Sequence, residues 1–287
     1  MRIFDPHIHM TSRTTDDYEL MHGAGVRAVV EPAFWLGQPR TGVGSFLDYF
    51  DALIGWERFR AAQFGIRHHC AIALNPKEAN DPRCREVLAE IPRYLDKDGV
   101  VAVGEVGYDS MTAAEDQVFA SQLEMAVAAD LPVLVHTPHR DKAAGTRRTL
   151  DVVAESGLPA ERVLVDHLNE TTVAMVADSG CWMGFSIYPD TKMDEQRMVA
   201  ILREVGTDRI LVNSAADWGR SDPGKTAKTA ACMLEHGFTD DDVDRVLWRN
   251  PVEFYGQSGR LMLDEAPGPA AAAQTFEGNS VLRGVRV

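Results

Sequence analysis

What this sequence lacks narrows its function before anything else does. It has four cysteines, Cys70, Cys84, Cys181 and Cys232, and no CxxC pair. That spacing argues against both a disulfide framework and a thiolate zinc site, so reduced, buried thiols are expected. No apolar run approaches the roughly 20 residues needed to cross a bilayer. The start, MRIFDPHIHM, has none of the basic-then-apolar pattern of a secretory leader, and a cytoplasmic location is expected. Basic residues are outnumbered, 29 Lys and Arg against 43 Asp and Glu, giving a formal net charge of −14. A field of that sign repels phosphate backbones, and no basic cluster beyond Arg147-Arg148 offsets it. Nucleic acid is therefore not the expected partner; a small molecule is, and self-association into a homo-oligomer is left open. No glycine-rich phosphate turn follows the first strand, and Gly42-Val43-Gly44 is a lone GxG without weight.

What is present is a rhythm. Eight short apolar, β-rich runs recur at residues 2–7, 26–31, 69–74, 100–105, 132–136, 162–167, 181–186 and 209–214. Most are continuous in Val, Ile, Leu and Ala, as strands covered on both faces should be. Helical segments separate them. Thr14 with Asp16 and Asp17 caps one, residues 112–130 and 140–156 form two more, and Thr239 with three following aspartates starts another. Eight strand–helix alternations in about 250 residues predict a single (β/α)8 TIM barrel. The barrel should occupy residues 1–260, and residues 261–287, with the low-complexity APGPAAAA, should form a flexible extension.

In such a barrel, chemistry sits at the C-terminal ends of the strands. Run 1 ends in His7-Ile8-His9, whose alternation puts both imidazoles on one face, roughly 7 Å apart along the chain. Run 4 ends in Gly104-Glu105-Val106-Gly107, where flanking glycines leave room for a carboxylate to approach cations closely. Runs 5 and 6 end at His136 and His167, and run 8 leads into Asp217. Each residue alone reads as scaffold: a hydrogen-bonded histidine, a paired glutamate, a turn aspartate. Five strand ends carrying such groups together are difficult to obtain by accident. Imidazole and carboxylate donors suit divalent Zn, Mn, Fe or Ni, without selecting among them.

At these residues the chain resembles the TatD-like metal-dependent hydrolases of the amidohydrolase superfamily. The matching pieces are FDPHIH, GEVGYD, VLVHTPHR, VDHLNE, the strand-8 aspartate and the closing RNPVEFYG, over about residues 1–256. The resemblance implies two metal ions: one on His7 and His9, a second on His136 and His167, Glu105 bridging them and Asp217 completing the first site. It further implies a metal-activated hydroxide, with Glu105 and Asp217 as the catalytic carboxylates. Strand 8 departs from the family's Glu-Thr-Asp ending, reading Asn213-Ser214-Ala215-Ala216-Asp217. Pro138 also stands where the family tends to have arginine after the strand-5 histidine. Both changes point away from a deoxyribonuclease and towards cleavage of a small ester, phosphoester, amide or lactone. A TatD-like deoxyribonuclease and a metal-binding barrel without turnover remain the alternatives. So does a metal-free acid–base site on a phosphosugar-like substrate, against which the absence of a glycine-rich turn after strands 7 or 8 counts.

Trp35, Tyr108, His139, Arg140 and Trp218 occupy loops at this mouth and are expected to contact substrate, as are Tyr188 and Arg220. The loop at residues 31–44 reads either as a lid or as ordinary packing. Asp5, one alternation below His7, is expected to orient a ligand histidine. His68 and His69 open run 3 at the opposite mouth and read as structural.

Overall fold

The eight apolar runs are eight parallel strands: β1 (Ile3–Asp5), β2 (Val26–Pro32), β3 (Arg67–Ile72), β4 (Val100–Gly107), β5 (Val133–His136), β6 (Val163–Asp166), β7 (Trp182–Ser186) and β8 (Ile210–Asn213). In the computed structural model, which describes residues 1–264, each strand pairs with the next in sequence order. The seam between β8 and β1 is joined just beyond their ends. There Ala215 N donates to His7 O at 2.8 Å and His9 N to Ala216 O at 2.9 Å. The result is a (β/α)8 barrel. Val29, Ile72, Val103, Val135, Val165 and Val212 pack outwards against the helices, while Phe4, Ala28, Val30, Ala71, Leu134 and Leu211 fill the interior.

The helices begin where their caps lie. Thr14 with Asp17, Thr112 with Glu115 and Thr239 with Asp242 each form a reciprocal capping box, satisfying backbone donors that the first turn leaves free. The helix expected from residue 140 starts later, at Lys142, and ends before Gly157 at φ 74°. All four cysteines are buried and unpaired, and no helix among the described residues is long and apolar enough to cross a membrane.

The closing RNPVEFYG segment plugs the N-terminal end of the barrel. Asn250 Nδ2 donates to the carbonyls of Thr207 and Ile210 at 2.8 Å. Phe254 and Tyr255 pack with Phe4, and Tyr255 Oη donates to Pro6 O at 2.7 Å. The chain then crosses this end: Met262 N donates to His69 Nε2 at 3.1 Å, and Leu261 and Leu263 pack on the same cluster. Residues 261–264 are thus docked rather than free, and the rest of the expected extension lies outside the described residues.

Strand β3 begins at Arg67, two residues before the expected start, because Arg67 and His68 pair with Ala28 and Val29. That places His68 on the outer face, its Nε2 2.8 Å from Glu31 Oε2, while Glu31 Oε1 accepts from Thr11 N at 2.8 Å. Burial pushes Glu31 up to about 8 and His68 down to about 4. The shared proton therefore resides on Glu31 and is donated to His68. A carboxyl whose folded pKa is raised stabilises fully below its unfolded value and loses that contribution as pH rises through the folded one. Glu31→Gln, neutral throughout, should flatten the loss of denaturation midpoint between about pH 5 and about 8. Equal slopes in the two proteins would refute this assignment.

Candidate metal centre

Glu105 reaches the barrel axis through a local irregularity. The β4–β5 register passes from Gly104–Leu134 directly to Val106–Val135, so Glu105 is the extra residue of a bulge, a device that re-aims a side chain. The positions one before it and two after it require glycine. A Cβ on Gly104 would lie 2.8 Å from Leu134 Cβ, and one on Gly107, at φ 118°, would strike His136 O.

Three imidazoles meet the carboxylate so exposed. Glu105 Oε1 lies 3.0 Å from His136 Nδ1, 3.2 Å from His167 Nε2 and 3.5 Å from His7 Nε2. His9 Nε2 is 3.2 Å from His7 Nε2. Glu105 Oε2 accepts from Asn75 Nδ2 at 2.8 Å, which fixes the carboxylate plane. Among the described residues, His7, His9 and Glu105 form one group of converging donors, and Glu105, His136 and His167 a second.

The surrounding bonds settle which ring nitrogens carry protons. His7 Nδ1 contacts Asp166 Oδ2 at 2.6 Å. His167 Nδ1 meets Ser186 Oγ at 2.6 Å, and that hydroxyl donates to Asn213 Oδ1 at 2.7 Å, so it accepts from the ring. With both rings neutral, both Nε2 atoms present lone pairs to a carboxylate oxygen that also has only lone pairs to offer. Although burial opposes it, Glu105 and Asp166 raise the pKa of His7, marking a position that calls for positive charge. Acceptors converging without hydrogens between them fit a cation. Burial alone would raise Glu105, but His136 and His7 hold it well below the usual carboxylate range. Burial, then the nearby His7, depresses His9, and burial, then Lys192, depresses His167. Each is thereby kept neutral, the form that ligates metal.

Asp166 also makes a third group with His7 and His167, but its oxygens are committed. They hold His7, accept from His167 N and bond Asn213 Nδ2 at 3.0 Å. Asp166 orients ligands rather than joining them. This corrects the expectation for Asp5, which receives backbone N–H groups of His7 and Ser214 at 3.3 and 3.2 Å and so shapes the seam, not the ring.

Asp217 is not brought into either converging group. The turn after β8 passes through Ala215 at φ 43°, and Asp217 Oδ1 accepts from Tyr188 Oη and Gly219 N, both at 2.7 Å. It nevertheless lines the same mouth cavity of about 370 Å³ as the histidines. Trp35, His139, Tyr188 and Trp218 line this cavity too, Trp218 being 46% exposed. Tyr108 does not reach the mouth. It is buried in the core against Phe119, with its hydroxyl on Asp116, because β4 carries it past the opening. Arg140 is exposed on the loop after β5 and does not line the cavity.

The loop after β2 spans only residues 33–42 before helix Val43–Asp51. Arg40 ties it down, donating to Glu78 at 2.6 Å and to Ser45 O at 2.9 Å, which is packing rather than a lid. Its Phe34 ring stacks on His9 at 3.9 Å between centroids. Asn75, Asp166, Ser186 and Lys192 escaped the sequence reading, while Phe34 entered it only as an aromatic of the loop after β2 and Asn213 only as a departure at strand 8. Only Asp166, beside a strand-end histidine, carried a usable signal there.

Known proteins resemble this chain in sequence and fold. The model of the family described as TatD related DNase matches residues 4–256. An uncharacterized metal-dependent hydrolase of Methanocaldococcus jannaschii is 26% identical over 259 residues, 88% of this chain and 99% of that one. A TatD-like protein from Archaeoglobus fulgidus superposes with a TM-score of 0.74 at 25% identity, again covering 88% and 99%. The phosphotriesterase homology protein from Escherichia coli shares the fold, with a TM-score of 0.64, 16% identity and coverage of 88% and 98%.

If Asp166 orients His7 as described, Asp166→Asn should weaken metal binding about 10- to 100-fold. Competition against a chelator measures this, and unchanged affinity would remove Asp166 from that role.

Proposed function

The chain belongs to the TatD family of metal-dependent hydrolases, and we propose that it cleaves a small-molecule ester, phosphoester, amide or lactone with two divalent cations. His7 and His9 would hold one ion, His136 and His167 the other, and Glu105 both. The observation that carries this reading is Glu105 Oε1 facing three imidazole nitrogens within 3.5 Å. Divalent cations held there would supply a water of lowered pKa and polarisation of the scissile C=O or P–O bond.

The chain's own residues supply the rest. Asp166 and Ser186 keep the Nδ1 protons of His7 and His167 turned away from the centre. Phe34 covers the face of His9 and keeps solvent from it. Asp217, held by Tyr188 and Gly219, offers its second oxygen as the group that takes the proton of the attacking water. Trp35 and Trp218, 5.5 Å apart between ring centroids, supply an apolar wall for the substrate. The cavity, at about 370 Å³, suits a compact ligand.

The family's description as a DNase motivates a second reading, metal-dependent DNA cleavage. The net charge of −14 and Pro138 in place of a cation weigh against it. Degradation of DNA with a steep salt dependence would favour it instead.

Elemental mass spectrometry of the purified protein should find about two equivalents of transition metal. His7→Ala/His9→Ala should lower that content clearly, and a metal-free, inactive wild type would defeat the proposal. Asp217→Asn should keep the metal and lower kcat about 100-fold or more on a responsive ester or lactone. Undiminished turnover would take the proton-accepting role from Asp217.

A further inference from the structure

Beside the converging histidines stands a lysine that the hydrolytic reading leaves without a task. Lys192, on the loop after β7, lines both the mouth cavity and an adjoining cavity of about 120 Å³ that reaches towards Lys142. Its Nζ lies 2.9 Å from His167 Nδ1 and 3.4 Å from His167 Nε2. Neither nitrogen is a partner for it. The Nδ1 proton goes to Ser186, and the Nε2 lone pair faces Glu105. Among the described residues no carboxylate oxygen lies within ion-pair distance of this ammonium, although Asp166, Glu105 and Asp217 surround it.

The other cations that line the two cavities, Lys77 and Lys142, are committed, and so is Arg13 beside Asp217. Lys77 is paired with Asp109 at 2.7 Å. Lys142 is spent on His167 O at 2.7 Å and on Thr137 Oγ1 at 3.0 Å. Arg13 donates to Asp217 O and pairs with Asp17. Lys192 is also held in place by its backbone. Its N–H donates to Tyr188 O at 3.3 Å, and its carbonyl accepts from Arg197 Nη1 at 2.7 Å, while Arg197 is bidentate with Glu170. A half-buried ammonium on a pinned loop, with donors turned to a cavity, lacks only an acceptor.

We propose that Lys192 binds a compact anionic group of the substrate, a carboxylate or a phosphate, beside the metal centre. The substrate is then a small anion rather than a neutral ester. Its charged group lies on the β6–β7 side and the remainder extends towards Trp35 and Trp218. This rests on the hydrolase reading for the position of the scissile bond, and not for the binding of the anion itself.

Calorimetry on the metal-loaded protein tests it with three probes: succinate, methyl phosphate and the neutral isostere succinamide. The wild type should bind at least one anion about tenfold or more tightly than succinamide. Lys192→Met should lose about 10- to 100-fold of that affinity, as expected for a charge-assisted bond, with metal content unchanged. Lys192→Arg should keep the preference. Which anion responds identifies the group as carboxylate or phosphate. No preference in the wild type, or an undiminished one in Lys192→Met, overturns the proposal. A protein that holds no metal yet shows the Lys192-dependent preference would refute the hydrolase reading and leave this one standing.

Discussion

One carboxylate oxygen organises this molecule. Glu105 Oε1 has three imidazole nitrogens within 3.5 Å, from His136 at the end of β5 and from His7 and His167 just beyond the ends of β1 and β6. A buried carboxylate is costly unless it is surrounded by compensating groups, and here the compensation comes from β1, β5 and β6 together. The bulge that aims Glu105, and the glycines that let β4 approach β5 on either side of it, exist to meet that constraint. His167 at φ 62° and Ala215 at φ 43° are the conformationally costly residues of the same mouth, as expected where function over-determines the backbone.

The metal-binding segment is also part of the architecture. His7 O and His9 N make the hydrogen bonds that join β1 to the turn after β8, and Ile8 N bonds Val30 O at 3.1 Å on the other side. The histidines therefore sit on backbone paired both ways although β1 itself ends at Asp5. Asp5 belongs to this seam as well. Buried and bonded to the N–H groups of His7 and Ser214, it is pushed up to about 7 by burial, so seam and centre share one polar core. At the opposite end, Tyr255 reaches Pro6 O, tying the C-terminal plug to the residue just before the first ligand.

The altered strand 8 finds its account in this polar core. Asn213 occupies the end of β8, where it accepts from Ser186 and donates to both oxygens of Asp166. A second carboxylate there would face Asp166 without a hydrogen between them. Asn213 instead links the group that orients His7 to the one that orients His167. Asp217, two residues further along than the family spacing, hangs at the rim with Tyr188 and is free of the inner network.

The sequence by itself determined the barrel, its eight strands, most of its caps and, Asp217 apart, the strand-end residues that converge. These are properties of local pattern: continuous apolar runs, threonine with an acidic residue three positions later, histidine or glutamate closing a run. Such patterns survive because each is enforced within a few residues. What only the tertiary structure decided are the relations between strands far apart in the chain. Asp166 rather than Asp5 turns the ring of His7, Tyr108 is carried past the mouth into the core, Phe34 covers His9, and Lys192 stands unpaired beside His167. Those outcomes depend on register, on a bulge and on two left-handed residues. They depend on which side chain meets which across the barrel axis, a distance that no local spacing encodes.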